Sequence, residues 1–235
     1  MKTIGLLGGM SWESTETYYR LINEGIKSRL GGLHSAKIVL YSVDFHEIEA
    51  LQQRGDWEAA GAALAEAGRS LQAAGADFLV ICTNTMHKVV PTIAAEIAIP
   101  ILHIADATAA AIKAQGHHTV GLLGTQFTME QAFYRDRLVE KHGLNVLVPE
   151  AGDRAVIHRV IYDELCLGKI APASRAAYLD IIHQLQQQGA EAMIAGCTEI
   201  TLLVTQADLT LPLFDTTALH AAAAIEAALV VESEF

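Results

Sequence analysis

The sequence predicts an α/β protein of two similar lobes, each a mainly parallel sheet with helices on both faces. Short strand-like runs alternate with Ala-rich segments whose apolar residues recur at helical spacing, such as 57–74 and 173–188. In addition, the second half of the chain repeats residues of the first half in the same order, which indicates an internal duplication. The strand-like runs lie at 3–7, 37–42, 77–82, 99–104, 119–123, 145–148, 192–196 and 211–215.

The repeat is visible in individual residues. The hexapeptide T-I-G-L-L-G at 3–8 recurs as T-V-G-L-L-G at 119–124. Later in each half a strand-like run ends in a polar turn, and Thr83 of the first turn aligns with Cys197 of the second. A shared α/β topology alone explains similar hydropathy but not the same residues in the same order. We therefore predict that the two lobes arose by duplication.

The repeat also predicts the division of the chain. Each half contains a Pro-led strand followed by an Ala-rich helix, at 99–100 and again at 211–212. We expect residues 1–98 plus 211–235 to form the first lobe and 99–210 the second. Ligands of open α/β sheets bind beyond the carboxyl ends of the strands. An active-site cleft between the lobes is therefore expected, with Thr83 and Cys197 on opposite sides of a ligand.

Composition excludes several classes of function. The 235-residue chain carries a formal net charge of −11 without a cluster of Lys and Arg, so no nucleic-acid partner is expected. Its apolar runs are far shorter than the roughly 20 residues of a membrane span, and its first residues lack a signal-peptide pattern. The three cysteines show no finger spacing, which favours a reduced, cytoplasmic protein.

Two turns carry a resemblance to a known family. The T-N-T turn at 83–85 and the G-C-T-E turn at 196–199 resemble those of the aspartate/glutamate racemases, and the likeness extends from G-L-L-G-G-M-S at 5–11 to F-D-T-T at 214–217. The resemblance implies a two-lobed amino-acid racemase that needs no cofactor and acts on a small amino acid, with aspartate or glutamate favoured. It also implies a pair of thiols, the second of which is Cys197.

The first thiol position departs from the family pattern. Thr83 stands where the family has cysteine, and this chain has its cysteine one place earlier, at Cys82. Neighbouring side chains of a strand point to opposite faces, so Cys82 is expected to lie in a helix-covered core if Thr83 faces the ligand.

The chemistry of racemisation assigns roles to these two residues. Removing an α-proton requires a positioned base, and returning one requires a positioned acid. A thiol has a solution pKa of about 8.5, which a helix N-terminus lowers, so Cys197 before a possible helix start is the predicted base. A threonine hydroxyl is a poor base but can donate a proton that water restores, so Thr83 is the predicted acid.

Other polar residues of these turns are candidates for binding the substrate. Glu199 could orient the substrate ammonium, could polarise Cys197, or could equally be only a helix N-terminal carboxylate. Near Phe45–Trp57, Gln52 or Arg54 could hold the substrate side chain, but Arg54 could equally be a solvated surface charge. The stretch D-E-L-C-L-G at 163–168 lacks the lysine that many relatives of the family have near Cys166, which leaves room for neutral or basic amino acids. The predicted substrate-binding residues are Met10, Ser11, Gln52, Asn84, Thr85, Thr198 and Glu199.

Several alternatives remain open from the sequence. One thiol suffices for a related carbon-acid enzyme, such as a maleate isomerase or decarboxylase, and duplicated lobes also suit a non-catalytic amino-acid-binding protein. Ten histidines are present without a metal-binding spacing, so no metal is expected. The 51% hydrophobic composition favours a homodimer.

Overall fold

The structure is a computed structural model that describes residues 1–230. The chain forms two compact units, one of Met1–His103 with the segment from His220 onward, the other of Ile104–Leu219. The first contains β1 (Ile4–Gly8), α1 (Trp12–Leu30), β2 (Ile38–Ser42), α2 (Phe45–Arg54), α3 (Trp57–Ala73), β3 (Phe78–Ile81), a 3-10 turn (Thr85–Val89), α4 (Val90–Glu96) and β4 (Ile101–Leu102).

The second unit follows the same plan with more helical insertions. It contains α5 (Ile104–Ala114), β5 (Thr119–Gly124), α6 (Gln126–Glu130), α7 (Ala132–Asp136), a π-helical turn (Arg137–Lys141), β6 (Asn145–Leu147), α8 (Ala151–Asp163), a 3-10 turn (Leu165–Leu167), α9 (Pro172–Gln187), β7 (Ala192–Gly196), α10 (Ile200–Leu203), a 3-10 turn (Gln206–Asp208) and β8 (Leu213–Asp215). The last helix, α11 (Thr216–Leu229), begins in this unit and continues into the first.

Both sheets are parallel and have the same strand order. The first runs β2-β1-β3-β4 and the second β6-β5-β7-β8, so each strand of one has its counterpart in the other. The repeated hexapeptides occupy the equivalent inner strands β1 and β5, each paired with two neighbours. The predicted fold class, two similar α/β lobes with parallel sheets, is confirmed.

The first sheet is covered on both faces. Along β3 the side chains alternate: Leu79 and Ile81 enter a core formed with α3, whereas Phe78 and Val80 enter a second core formed with α1 and α11. All four residues are buried, as expected for a parallel strand between two helical layers.

The division of the chain falls later than the predicted boundaries at 98 and 211. The Pro-led strand β4 pairs with β3 of the first sheet, and its counterpart β8 pairs with β7 of the second. Each therefore closes the sheet that precedes it in the chain. The change of unit occurs at helices instead. α5 packs into the core of the second unit, whereas α11 beyond His220 packs into the core that it forms with α1 in the first unit. The units therefore meet in sequence at 103–104 and 219–220.

Across residues 1–230, every helix is too short or too polar to cross a membrane.

Candidate active site

The predicted catalytic residues follow equivalent strands of the two units. Cys197 comes directly after β7, and Thr83 comes two residues after β3 ends at Ile81. Both strands are fully buried inner strands, so each turn emerges from a rigid support at a carboxyl edge. This is the edge at which ligands of parallel α/β sheets bind.

Cys197 is half-buried, and its thiol is paired with a carboxylate. Sγ donates a hydrogen bond of 2.9 Å to Oε2 of Glu199. Burial raises the pKa of Cys197 well above its ordinary value, and the charge of Glu199 and the neighbouring Cys166 raise it further. The backbone N–H of Glu199 acts in the opposite direction. The thiol is therefore protonated in the ligand-free protein.

The pKa of Cys197 is raised, whereas the sequence predicted that a helix start would lower the pKa of this thiol. The helix that follows, α10, spans only Ile200–Leu203, so its dipole is small. Burial, followed by the carboxylate of Glu199 in direct contact with the thiol, raises the pKa of Cys197.

Glu199 is turned towards the thiol and not towards the helix. Its side chain is buried and makes no capping hydrogen bond to α10. Of the two interpretations of this residue, the contact with Cys197 is the one observed. The adjacent Thr198 is half-buried, and its carbonyl accepts a hydrogen bond of 3.0 Å from the hydroxyl of Thr201.

The T-N-T turn is held from both sides by polar contacts to its backbone. The hydroxyl of Ser14 donates to the carbonyl of Cys82 at 2.9 Å, and Nδ1 of His87 lies 2.8 Å from the carbonyl oxygen of Thr83. Asn84 and Thr85 are buried, and Thr83 is half-buried. The turn is thus fixed at two successive carbonyls.

Cys82 does not supply the missing thiol. It is fully buried in the core with Tyr18 and Ile22, and burial raises the pKa of its thiol far above the ordinary value. The prediction that Cys82 lies in a helix-covered core is confirmed.

Two hydrogen bonds through the side chain of Thr15 hold the turn between β1 and α1. The N–H of Gly9 donates to Oγ1 of Thr15 at 2.8 Å, and the hydroxyl of Thr15 donates to the carbonyl of Ser11 at 2.9 Å. Ser11, a predicted substrate-binding residue, caps the N-terminus of α1, and Met10 is buried. Gly9 has φ +93°, and a Cβ there would lie 2.3 Å from the carbonyl oxygen of Val43. Only glycine fits at this point.

Gln52 and Arg54 separate in the structure. Arg54 is exposed at the end of α2, whereas Gln52 is buried and donates from Nε2 to Sδ of Met86 at 2.8 Å. Among the described residues, Oε1 of Gln52 has no hydrogen-bond partner. Gln52 therefore offers an amide oxygen close to the T-N-T turn, because Met86 follows Thr85 directly.

A cluster of three buried histidine side chains, which the sequence did not predict, lies beside the T-N-T turn. His87, His103 and His220 lie in one unit, with the ring of His87 4.5 Å from that of His103 and 5.7 Å from that of His220 between centroids. Within residues 1–230 no group of His, Cys, Asp and Glu is arranged to hold a metal ion. The one signal in the sequence is that His87 lies one helical turn after Thr83, which is compatible with a contact to that carbonyl.

Comparison with known proteins identifies the family. The model of the Asp/Glu/hydantoin racemase family matches residues 7–224. The chain belongs to this family. A crystal structure of an Asp/Glu racemase-type protein from Yersinia pestis is 59% identical and has a TM-score of 0.93, with 98% of this chain and 100% of that chain covered.

Two further relatives show the breadth of the family. The structure of an aspartate racemase homologue from Pyrococcus horikoshii is 33% identical, with a TM-score of 0.84 and coverage of 97% of this chain and 99% of that one. A broad specificity amino-acid racemase from Bacillus subtilis is 22% identical over 98% of this chain and 100% of its own length. The predicted aspartate/glutamate racemase family is thereby confirmed.

Proposed function

We propose that this protein is an amino-acid racemase in which Cys197 removes the α-proton and Thr83 returns a proton to the opposite face. The observation that carries the proposal is the hydrogen bond from the Cys197 thiol to Glu199. The Glu199 carboxylate in this bond is a proton acceptor for Cys197, the thiol that stands at the family's second cysteine position. The internal repeat supports the partner role of Thr83, which is the equivalent residue of the other unit.

The proton movements balance as follows. The thiol of Cys197 transfers its proton to the carboxylate of Glu199 as the substrate binds, which leaves a thiolate. The thiolate takes the α-proton, so an S–H bond forms, the Cα–H bond breaks and the electron pair stays on the substrate as an enediolate-like carbanion. The hydroxyl of Thr83 gives its proton to Cα, and water restores that hydroxyl. The hydroxide left by that water takes the proton from Glu199, so the carboxylate is regenerated and each group returns to its starting state. In this proposal the side chains and water supply every proton, and the reaction proceeds without pyridoxal phosphate.

The substrate ammonium supplies the reason for the first transfer. The raised pKa of Cys197 keeps the ligand-free thiol protonated, partly because of the negative charge of Glu199. An ammonium group next to the two side chains stabilises a thiolate by charge attraction. Binding and activation of the base are therefore coupled.

We further propose aspartate and glutamate as the first substrates, with neutral amino acids accepted. The Gln52 amide can hydrogen-bond a side-chain carboxylate or a neutral polar group, whereas a cation at this position would select for a carboxylate. The proteins named as an aspartate racemase homologue and a broad specificity amino-acid racemase are similar to this chain. A free thiol base also requires reducing conditions, so we place the reaction in the cytoplasm.

The test is α-proton exchange for the twenty amino acids in deuterated buffer, followed by NMR, with chiral chromatography of the same samples. We expect deuterium at Cα together with formation of the opposite enantiomer. Exchange restricted to dicarboxylic acids without nitrogen would show a related carbon-acid enzyme instead. Amino-acid binding without exchange would show a binding protein.

A further inference from the structure

His87 makes a specific contact with the backbone of the T-N-T turn. The residue lies in the 3-10 turn Thr85–Val89, its side chain is almost fully buried, and Nδ1 is 2.8 Å from the carbonyl oxygen of Thr83. A carbonyl oxygen only accepts hydrogen bonds, so the proton of this contact belongs to Nδ1. In the neutral ring, Nε2 of His87 therefore carries the lone pair.

His220 has the opposite tautomer. Its Nε2 is 2.8 Å from the carbonyl oxygen of Leu102 and must carry the proton, so Nδ1 accepts the hydroxyl proton of Tyr18 at 2.9 Å. Tyr18 lies on α1, which packs against the first sheet, and Leu102 lies on β4, the edge strand of that sheet. The ring of His220 is thus fixed and lies 5.7 Å from that of His87.

Burial, together with the neighbouring histidine rings, keeps His87 neutral. Burial lowers the pKa of His87 well below its ordinary value, and the adjacent His103 and His220 lower it further, against the hydrogen bonds to the backbone of Thr83 and Asn84. Burial also lowers the pKa of His220, to about 4. A neutral ring with its proton held on Nδ1 is a single, defined hydrogen-bond donor.

The contact determines how one peptide group is oriented. The Thr83–Asn84 peptide is trans, so its C=O and N–H point in opposite directions. Holding the carbonyl towards His87 directs the N–H of Asn84 to the other side of the turn. The same constraint limits the rotation of the backbone that carries the Thr83 side chain.

We propose that His87 is a positioning residue whose Nδ1–H fixes the Thr83–Asn84 peptide, so that the Asn84 N–H and the Thr83 hydroxyl are directed to the substrate. The proposal rests on the proposed function in that it takes these two groups as contacts of an amino-acid substrate. His87 itself touches no reacting atom. His103 and His220 act one step further out, by holding the ring of His87 in place.

The first test reads the tautomers of the resting enzyme. Long-range proton–nitrogen NMR of histidine-labelled protein is expected to show the Nδ1–H form for His87 and the Nε2–H form for His220, with exposed His34 as the reference for a solvated ring. An Nε2–H form at His87 would overturn the proposal. Because this experiment needs no substrate, its outcome does not depend on whether the reaction is racemisation.

The second test uses two amide substitutions of His87 that place a side-chain N–H at different positions of the original ring. In His87→Asn the side-chain amide N–H takes the position of Nδ1, whereas in His87→Gln it takes the position of Nε2. We expect His87→Asn to retain kcat/KM close to the wild-type value and His87→Gln to lose about 10- to 100-fold, as small misplacements in active sites do. Equal kcat/KM in the two variants, high or low, contradicts positioning by Nδ1. Cys197→Ser in the same assay tests the proposed function separately, because its loss of exchange does not involve His87.

Discussion

The thiol of Cys197 and the carboxylate of Glu199 form a hydrogen bond of 2.9 Å within one turn after β7. The pair has two effects of opposite sign on catalysis. Glu199 raises the pKa of the thiol and so reduces the thiolate fraction of the resting enzyme, yet it is also the acceptor to which the thiol proton can move. In the proposed mechanism, the raised pKa therefore favours the protonated thiol until a substrate binds.

Replacing Glu199 by glutamine separates these two effects. In Glu199→Gln the negative charge is lost, so the pKa of Cys197 falls and alkylation by iodoacetamide at neutral pH becomes faster. The proton acceptor is lost as well, so α-proton exchange falls by about 100-fold or more, the typical contribution of an acid–base group. Mass spectrometry of the alkylated protein gives the first quantity, with buried Cys82 as an internal residue that stays unmodified.

The exposed Glu66 provides the matched control. Glu66→Gln removes the same charge from the molecule, and both quantities should stay at the wild-type values. Slower alkylation in Glu199→Gln would mean that the carboxylate promotes the thiolate, and the argument from its charge would be wrong.

A second prediction concerns stability in the second unit. Asp106 on α5 accepts two hydrogen bonds from Arg137 and one each from Lys141 and His142, all at 2.7–2.8 Å. Burial alone would raise the pKa of Asp106, but these contacts hold it far below the usual range. We expect Asp106→Asn to lower the free energy of unfolding by about 1–3 kcal/mol at pH 7, since it leaves charged partners without their carboxylate.

The pH dependence of this effect has a defined sign. A carboxylate whose pKa is depressed in the folded state contributes its full stability above the unfolded pKa of about 3.9 and loses it as the pH falls further. The difference between wild type and Asp106→Asn in urea unfolding should therefore be constant near neutrality and shrink below about pH 4. Asp180→Asn, at an exposed position, is the control and should change little at either pH. A difference that grows in acid would exclude this ion pair as its cause.

Features of the fold that depend on local sequence patterns could be predicted from the sequence, whereas features that depend on strand pairing could not. Strand and helix positions depend on local periodicity, and the repeat of T-I-G-L-L-G added the duplication, so the fold class was predicted correctly. The domain boundaries depend on which sheet an edge strand joins. The motif led by Pro100 or Pro212 looks the same whether it opens a new sheet or closes the previous one, and the structure shows that it closes it.

For the candidate site, too, the sequence predicted only what local structure determines. Cys82 could be placed in the core because strand alternation is a local rule, and its burial confirms that prediction. The direction in which the pKa of Cys197 shifts could not be predicted, because it depends on the burial of the thiol and on the side-chain orientation of Glu199. The contact of His220 with His87 joins residues far apart in the chain, so only the tertiary structure brings them together.

A third prediction concerns assembly. The edge strand β2 exposes Leu40 and Tyr41, with Leu33 exposed in the preceding loop. Apolar side chains on an open sheet edge favour association, and two-fold dimers are the commonest oligomers. We expect a homodimer at micromolar concentration by light scattering, and dissociation to monomers in Leu40→Lys. A monomer mass for the wild type would contradict this expectation.

The last prediction concerns the division of labour between Cys197 and Thr83. Cys197→Ser is expected to abolish α-proton exchange, because a serine hydroxyl is far less acidic than a thiol and cannot replace the base. Thr83→Ala should lose most inversion but retain some wash-out of the α-proton, since water can return a proton in place of the hydroxyl.

We expect the L-enantiomer to be the better exchange substrate. Because enantiomers have equal free energy, kcat/KM for complete racemisation must be equal in the two directions. A preference for one enantiomer must therefore appear either as exchange without inversion or as changes in kcat and KM that leave their ratio equal. Deuterium incorporation and chiral analysis on both variants decide the matter. If Thr83→Ala lost exchange as completely as Cys197→Ser, Thr83 would be required for proton abstraction as well, and the assignment of base and acid would be wrong.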